Sequence, residues 1–263
     1  MTPETRALYA SKLIHQRFAR DLDANMFVLF SQAIVPLAEG RDAGYREILI
    51  RFKDEERNMQ SPGMFLPLLE EQGLMPQLDR WIVSRVLAWI REIELNLGAR
   101  SAPRCSVNLA ADTIRDESAF AGYVLEEIRR KAGAAEALSF EIASSELLAH
   151  PKEIARLVPA LRAAGCTFAI SNHDGAERPF DLARSLGFTI VKFDGSLAYR
   201  IAFDDDAREK LKALNYLCRE YGMRTVCMQV ENQETLEVLR TMEVDYAQGF
   251  GVEHPKLLPY VRA

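Results

Sequence analysis

Charged side chains interrupt apolar runs of this sequence that otherwise have the character of buried strands. In the run EILIR, strict alternation places Glu47, Leu49 and Arg51 on one face and the isoleucines on the other. A polar group buried without a partner costs roughly 2–7 kcal/mol, so such groups are expected to converge and to partner one another. One well-placed arginine among them could also hold a small phosphate ligand through two parallel charge-assisted hydrogen bonds.

Further side chains of interest stand at or near the ends of other strand-like runs. They are Gln32, Asn108, Glu141, Ser171, Asn172, Lys192, Met228, Glu231 and Gln248. A single such residue is equally consistent with a salt-bridged edge strand. So many together favour a functional site, because the carboxyl ends of parallel strands gather on one face of an α/β fold.

A regular alternation of strand and helix patterns must position these residues. A helical pattern over residues 4–22 precedes eight strand-like runs, and amphipathic stretches separate most of them. Gly165, Gly187 and Gly222 stand between a helix and the next strand, where helix C-caps favour glycine. Strands that alternate with helices pair in parallel, and eight such units predict a closed, TIM-like (β/α)8 barrel. The alternative, an open doubly wound sheet, lacks the glycine-rich turn expected after its first strand.

Composition limits the function classes. The chain of 263 residues contains no Pro/Gly/Ser-rich linker, so one domain is predicted over residues 1–263, with the barrel from about 25 to 255. A net charge of −5 disfavours binding to long nucleic acids or to anionic membranes. No apolar run reaches the ~18 residues of a membrane span. The charged, amphipathic start is unlike a secretory signal, and the four cysteines lack CxxC spacing. We therefore expect a cytoplasmic protein with buried free thiols.

The order of the segments resembles the EAL family of cyclic di-GMP phosphodiesterases. The segments that carry the resemblance are, in chain order, QAIVPL, EILIR, MFLPLLEEQGLMPQLDRWIV, SVNLAA, FEIASS, VKFDGSL and YAQGFGVEHP. They are similar to the family's QPI, ExLxR, FIPLAEETGLI…LDRWVL, NxS, ExTE, KID and QGxxxxxP patterns. Together these segments span nearly the whole chain, and the resemblance implies a single barrel of the EAL type.

The resemblance also implies a chemistry. Two divalent cations, magnesium or manganese, would activate a water that attacks one phosphodiester of the cyclic dinucleotide. By position, Glu47, Asn108 and Glu141 match three metal ligands of the family. Lys192 matches a lysine that orients water near the metals, and Glu231 matches the second glutamate of an EGVE segment. The residues expected to contact the ligand are Gln32, Leu49, Arg51, Gln248 and Phe250, with core packing as the alternative for Phe250.

One strand end departs from the family's pattern. The family ends this strand with two aspartates in DDFG, and a gapless register places Ser171 and Asn172 at those positions. A register shifted by one residue places Asn172 and His173 there, which restores no carboxylate. Asp174 and Glu177 lie just beyond and are the nearest acidic residues that could reach inward.

Two more carboxylates of the pattern are missing. Ser144 stands at the second glutamate of ExTE, and Met228 stands at the first glutamate of AEGVE. Lost carboxylates remove much of what offsets the repulsion between two dications, and a thioether has no affinity for hard cations. The sequence therefore predicts that hydrolysis is lost and that no cofactor is required. Magnesium or manganese would matter only for a residual activity.

Three functions remain open at this point. The chain could be a receptor that binds cyclic di-GMP without cutting it, an adaptor that regulates a protein partner, or a weak metal-dependent phosphodiesterase. The retained residues Arg51, Leu49 and Gln248 favour the receptor. Ser171, Asn172 and Met228 disfavour the phosphodiesterase. The resemblance also implies homodimer contacts in the region between the KID-like strand and the following helix.

Overall fold

Eight strands close into a barrel. The computed structural model describes residues 3–38, 45–54, 56–98, 101–131 and 134–259. The strands are β1 (Phe27–Pro36), β2 (Tyr45–Lys53), β3 (Met59–Gln60), β4 (Cys105–Asn108), β5 (Leu138–Ala143), β6 (Thr167–His173), β7 (Ile190–Phe193), β8 (Arg224–Cys227), β9 (Tyr246–Ala247) and β10 (Lys256–Leu257). The ring runs β1–β2–β4–β5–β6–β7–β8–β9 and returns to β1, while β3 and β10 pair outside it. The predicted barrel is confirmed, and its closure excludes the open doubly wound sheet.

Helices surround the ring. In the described ranges they are α1 (Pro3–Asp23), α2 (Pro62–Glu71), α3 (Met75–Leu97), α4 (Ala111–Arg115), α5 (Glu117–Arg130), α6 (Ser144–Ala149), α7 (Pro151–Ala163), α8 (Glu177–Ser185), α9 (Gly195–Arg200), α10 (Asp205–Glu220) and α11 (Gln233–Thr241). Their apolar faces follow the helical period: Ile154, Leu157, Val158 and Leu161 of α7 are all buried. None of these helices combines the length and the apolar character needed to cross a membrane.

One strand of the ring runs against the others. β1 pairs antiparallel with both β2 and β9, whereas the remaining pairs of the ring are parallel. The prediction of parallel pairing throughout is therefore wrong for β1. Only residues 37–44 separate β1 from β2, and a parallel crossover needs about a dozen residues or more. The reversal has a consequence for the site, because it sets Gln32 directly opposite Glu47.

The barrel interior is divided into an apolar floor and a polar mouth. Six buried residues near the amino-terminal ends of the parallel strands form the floor: Ile34, Tyr45, Ala169, Ile190, Val226 and Tyr246. The rings of Tyr45 and Tyr246 meet edge to face at 5.4 Å, which closes this end of the barrel. Polar side chains are thereby confined to the opposite end, where the parallel strands finish.

The four cysteines are buried free thiols, as predicted. Burial raises the pKa of each thiol to about 12, so none is a thiolate at neutral pH.

A buried carboxylate of α3 fixes the start of α4. Asp79 Oδ2 accepts hydrogen bonds from Thr113 Oγ1 at 2.6 Å and from the Ala110 backbone N–H at 3.1 Å. Burial raises the pKa of Asp79 from 3.8 to about 6, although both bonds oppose the shift. The folded state therefore binds the proton more tightly than the unfolded state does. The stability linked to this proton is fully present below about pH 4 and is lost as the pH rises through 6.

Replacing Asp79 with asparagine should reveal this linkage. Asparagine keeps an acceptor oxygen and carries no charge, so Asp79→Asn should match the wild type at pH 4. At pH 8 it should be more stable by up to about 3 kcal/mol, the free-energy equivalent of the pKa shift. Urea unfolding at several pH values measures the difference, with the exposed Asp181→Asn as a control that should show no such trend. A stability difference that does not change with pH would contradict this reading of Asp79.

Candidate ligand-binding site at the barrel mouth

A lysine and two glutamates form a buried charged cluster under the mouth. Lys192 on β7 donates to Glu47 Oε2 on β2 at 2.6 Å and to both oxygens of Glu141 on β5 at 2.8 Å. The lysine is 1% exposed. Strand alternation brings the three side chains to the same interior layer, although they are far apart in the sequence. We call Lys192, Glu47 and Glu141 the Lys192 cluster.

Neutral donors complete the hydrogen bonding of this cluster. Asn108 Nδ2 donates to Glu47 Oε1 at 2.8 Å, and Gln248 Nε2 donates to Glu47 Oε2 at 2.7 Å. The Ser106 hydroxyl donates to Glu141. Gln248 Nε2 also donates to Gln32 Oε1 at 3.1 Å, so β1 and the segment that follows β9 join the same network. Gln248 Oε1 is buried and makes no hydrogen bond to a described residue.

The charges within the Lys192 cluster are mutually adjusted. Burial would lower the pKa of Lys192, but the charges of Glu141 and Glu47 outweigh burial and raise it, so the lysine is an ammonium. Burial would raise the pKa of Glu47, but Lys192 and the amide donors outweigh it and lower the pKa. Burial and the charge on Glu47 raise the pKa of Glu141. Lys192 therefore acts as an internal cation that neutralises at least one of the two carboxylates.

A cavity of about 270 Å³ opens above the cluster. Its lining residues are Gln32, Glu47, Leu49, Asn172, Met228, Gln229, Glu231, Gln248, Gly249 and Phe250. Phe250 is 59% exposed and stacks on His254, with ring centroids 4.8 Å apart. Core packing is therefore excluded for Phe250. An exposed aromatic face beside a polar cavity is suited to stack on a planar base.

The end of β6 contains Ser171 and Asn172, which the resemblance aligns with the two aspartates of the family pattern. Alternation places Ser171 on the interior face with Ala169, and Ser171 is buried. The pairing of β6 with β7 shifts between Ile170 and His173, and Asn172 adopts a left-handed backbone with φ of 51°. This bulge aims Asn172 at the cavity, of which it is a lining residue.

The residues after Asn172 point away from the mouth. His173 is buried, with Nδ1 at 3.1 Å from Ser144 Oγ and its ring stacked on Phe180 of α8. His173 therefore does not face the cavity. Asp174 is exposed and caps the Ala176 backbone N–H at 3.0 Å, and Glu177 is exposed in the first turn of α8. Neither lines the cavity.

Most of the predicted residues meet at this site. The cavity or the cluster beneath it contains Gln32, Glu47, Leu49, Asn108, Glu141, Asn172, Lys192, Met228, Glu231, Gln248 and Phe250. Arg51 shares the strand face of Glu47 but is not a lining residue. It donates to the Ile50 carbonyl at 2.8 Å, and its guanidinium lies 5.9 Å from the Phe30 ring centre.

Three residues of the site were not predicted from the sequence: Ser106, Gln229 and Gly249. Ser106 alternates with Asn108 in the run CSVN, and this spacing was a usable signal. Gln229 gave no such signal, because it follows β8 in a loop whose path the sequence does not reveal.

A family model for the EAL domain matches residues 15–255 of the chain. The chain belongs to the EAL domain family. Among curated relatives, this EAL domain is 27% identical over 242 residues to the cyclic di-GMP phosphodiesterase PdeF of Escherichia coli K12, covering 92% of the chain and 32% of PdeF. It is 24% identical over 242 residues to the cyclic di-GMP phosphodiesterase PdeB of Shewanella oneidensis, covering 92% of the chain and 28% of PdeB. The EAL domain thus spans about a third of the length of these relatives.

Solved structures share the fold. The FimX EAL domain from Pseudomonas aeruginosa bound to c-di-GMP superimposes with a TM-score of 0.83 at 22% identity, covering 94% of this chain and 98% of that one. The PaMucR phosphodiesterase in its c-di-GMP complex gives a TM-score of 0.82 at 23% identity, covering 93% and 97%.

The family's chemistry implies a pair of divalent cations, and the donors at this mouth do not fit such a pair. Glu47 and Glu141 already receive the Lys192 ammonium. The positions that the resemblance aligns with the family's two strand-end aspartates and with the first glutamate of AEGVE hold a hydroxyl, an amide and a thioether, none of which carries a negative charge. Within the described ranges, no group of three or more His, Cys, Asp or Glu side chains is arranged to hold a metal ion.

Proposed function

We propose that this EAL domain is a cytoplasmic receptor that binds cyclic di-GMP without hydrolysing it and without a metal ion. The arrangement of the mouth carries the proposal: the Lys192 ammonium pairs with Glu47 and Glu141 and neutralises at least one of them. Neutral Asn172 and Met228 stand where the family pattern has acids. The FimX EAL domain, which has the same fold, is bound to c-di-GMP. The same kind of ligand suits a cavity with amides on its wall and an aromatic ring at its rim.

Electrostatics support binding of an anion at this mouth. Two buried carboxylates without a counterion would repel a phosphate, whereas the Lys192 ammonium cancels much of that repulsion from below. Ser171 and Asn172 provide neutral hydrogen-bond donors in place of charged acceptors. Arg51 stands on the same strand face as Glu47, and its guanidinium can rotate to grip a phosphate in a bidentate manner.

We expect no hydrolysis of cyclic di-GMP with magnesium or manganese. Water activation by two metals needs the carboxylates that are absent at Ser171, Asn172 and Met228. Chromatography of long incubations should recover the cyclic dinucleotide intact, with PdeF as the active comparison. Appearance of the linear dinucleotide at rates near those of PdeF, lost on Glu47→Ala, would show that the domain is an enzyme.

Restoring the missing acids provides a positive control for that assay. The triple variant Ser171→Asp, Asn172→Asp and Met228→Glu is the one expected to gain turnover. Each single replacement should stay near background, because groups that act as a unit are strongly non-additive. Strong turnover from one replacement would mean that the site retains more of its catalytic groups than we infer.

Exposed aromatic side chains lie on α9, on α10 and in the loop between them. Tyr199 and Phe203 are 73% and 65% exposed, their ring centroids are 5.2 Å apart, and Tyr216 is also exposed. Clustered exposed aromatic side chains are typical of protein contact surfaces. We propose that this surface forms a homodimer. Sedimentation should show a concentration-dependent dimer that Phe203→Ser weakens. A chain that stays monomeric at high concentration would leave the surface to a different protein partner.

A further inference from the structure

The backbone of Gln229 is in an unfavourable conformation for its residue type. It has a φ of 56°, in the left-handed region that costs an L-residue roughly 1–2 kcal/mol. Glycine, asparagine and aspartate tolerate this region best, and a long unbranched side chain gains nothing from it. The residue lines the mouth cavity. Such strain persists where a side chain is needed at a set place.

The Gln229 side chain packs directly against Gly195. A Cβ atom added to Gly195 would lie 2.2 Å from Cδ and Oε1 of Gln229 and 2.6 Å from its Cγ. Gly195 does not have a positive φ, so its own backbone does not require glycine. The absence of a side chain at residue 195 therefore leaves room for the carboxamide of residue 229.

The Gln229 carboxamide has a donor and an acceptor that are available to a ligand. Within the described ranges, neither Gln229 nor Asn172, a second left-handed residue on the cavity wall, makes a side-chain hydrogen bond to another residue. Gln229 also precedes Val230, whose backbone bonds to Gln248 and Gly251 on either side of Phe250. The amide thus lies on the same wall as the exposed aromatic ring.

We infer that Gln229 is a ligand-contacting residue, whose carboxamide hydrogen-bonds to the polar edge of a base stacked on Phe250. The inference rests on the proposed binding of cyclic di-GMP. A carboxamide offers a donor and an acceptor side by side, which matches the polar edge of a purine. The left-handed backbone and Gly195 together hold it at the rim.

Gln229→Gly should change stability and affinity in opposite directions. Glycine relieves the left-handed strain, which stabilises the folded state, but it also makes the unfolded chain more flexible, which offsets part of that gain. The net result should be a rise in Tm of about 1–3 °C. Affinity for cyclic di-GMP should fall about three- to tenfold, as expected for one neutral hydrogen bond. A side chain held only for packing would instead lower Tm on removal and leave affinity unchanged.

A double-mutant cycle with Gly195→Ala tests whether the space at Gly195 positions the Gln229 carboxamide. The added methyl group displaces the flexible end of Gln229, so Gly195→Ala alone should lower affinity about as much as Gln229→Gly. In the Gln229→Gly background it should have no further effect, because the two changes remove the same contact. Calorimetric titration with cyclic di-GMP in EDTA gives all four affinities. If the wild type binds and every variant binds with the same affinity, this inference is overturned and the proposed function stands. If the wild type shows no saturable binding, the proposed function is overturned as well.

Discussion

Lys192→Met should lower the free energy of unfolding by about 3–5 kcal/mol at pH 8. The replacement leaves Glu47 and Glu141 buried together without their cation, and removing one partner of a buried ion pair has a cost of this size. At pH 5 the loss should be smaller, because protonation of the carboxyl groups removes part of the uncompensated charge. Urea unfolding at both pH values measures the effect.

Two variants separate this effect from a general loss of packing. Lys212→Met removes an exposed lysine 3.0 Å from Glu209 and should change stability by less than about 0.5 kcal/mol. Adding Glu47→Gln and Glu141→Gln to Lys192→Met removes the unpaired charges and should recover much of the lost stability. A Lys192→Met protein within about 1 kcal/mol of the wild type at pH 8 would mean that Lys192 is not the counterion we describe.

Arg51→Ala should weaken cyclic di-GMP binding by about 1.5–3 kcal/mol, or roughly 10- to 150-fold. On the strand face of Glu47, Arg51 follows the cavity-lining Leu49, and Lys53, the next cation on that face, lacks the planar fork needed for a bidentate contact with a phosphate. Arg51→Lys keeps the charge but loses the planar fork, so its affinity should be intermediate. Titration in EDTA measures all three proteins.

The matched control for Arg51 is Arg129→Ala, which removes an exposed arginine on the outer helix α5. It changes the net charge by the same amount and should leave the affinity unchanged. An equal loss of affinity in both variants would indicate only long-range electrostatics, and Arg51 would not be a phosphate contact.

Local patterns in the sequence predicted most of the fold and of the site. The alternation in EILIR predicted that Glu47, Leu49 and Arg51 share a face, and β2 shows this arrangement. The gapless register placed Ser171 and Asn172 at the end of this strand, and in the structure Ser171 is buried there while the exposed Asn172 lines the cavity. These predictions succeeded because strand alternation has a fixed period that depends on few neighbours.

Contacts between segments far apart in the chain could not be predicted from the sequence. The pairing of β1 with β9 depends on how the ring closes, and the apolar run in β1 gives no sign of it. The lysine was expected to orient water, but its seat between Glu47 and Glu141 depends on the registers of three strands. The position of the Gln229 side chain depends on its packing against Gly195, which belongs to a distant segment. In each case, contacts between distant segments decide the outcome.

One calorimetric titration with cyclic di-GMP tests the central claim most directly, carried out in EDTA and then with magnesium, with the ligand recovered afterwards. We expect saturable binding in the micromolar range or weaker in EDTA, a similar affinity with magnesium, and recovery of the dinucleotide in its cyclic form. Binding that requires magnesium, or a linear product, would contradict a metal-independent receptor. No saturation at hundreds of micromolar ligand would show that the mouth of this barrel does not bind the dinucleotide.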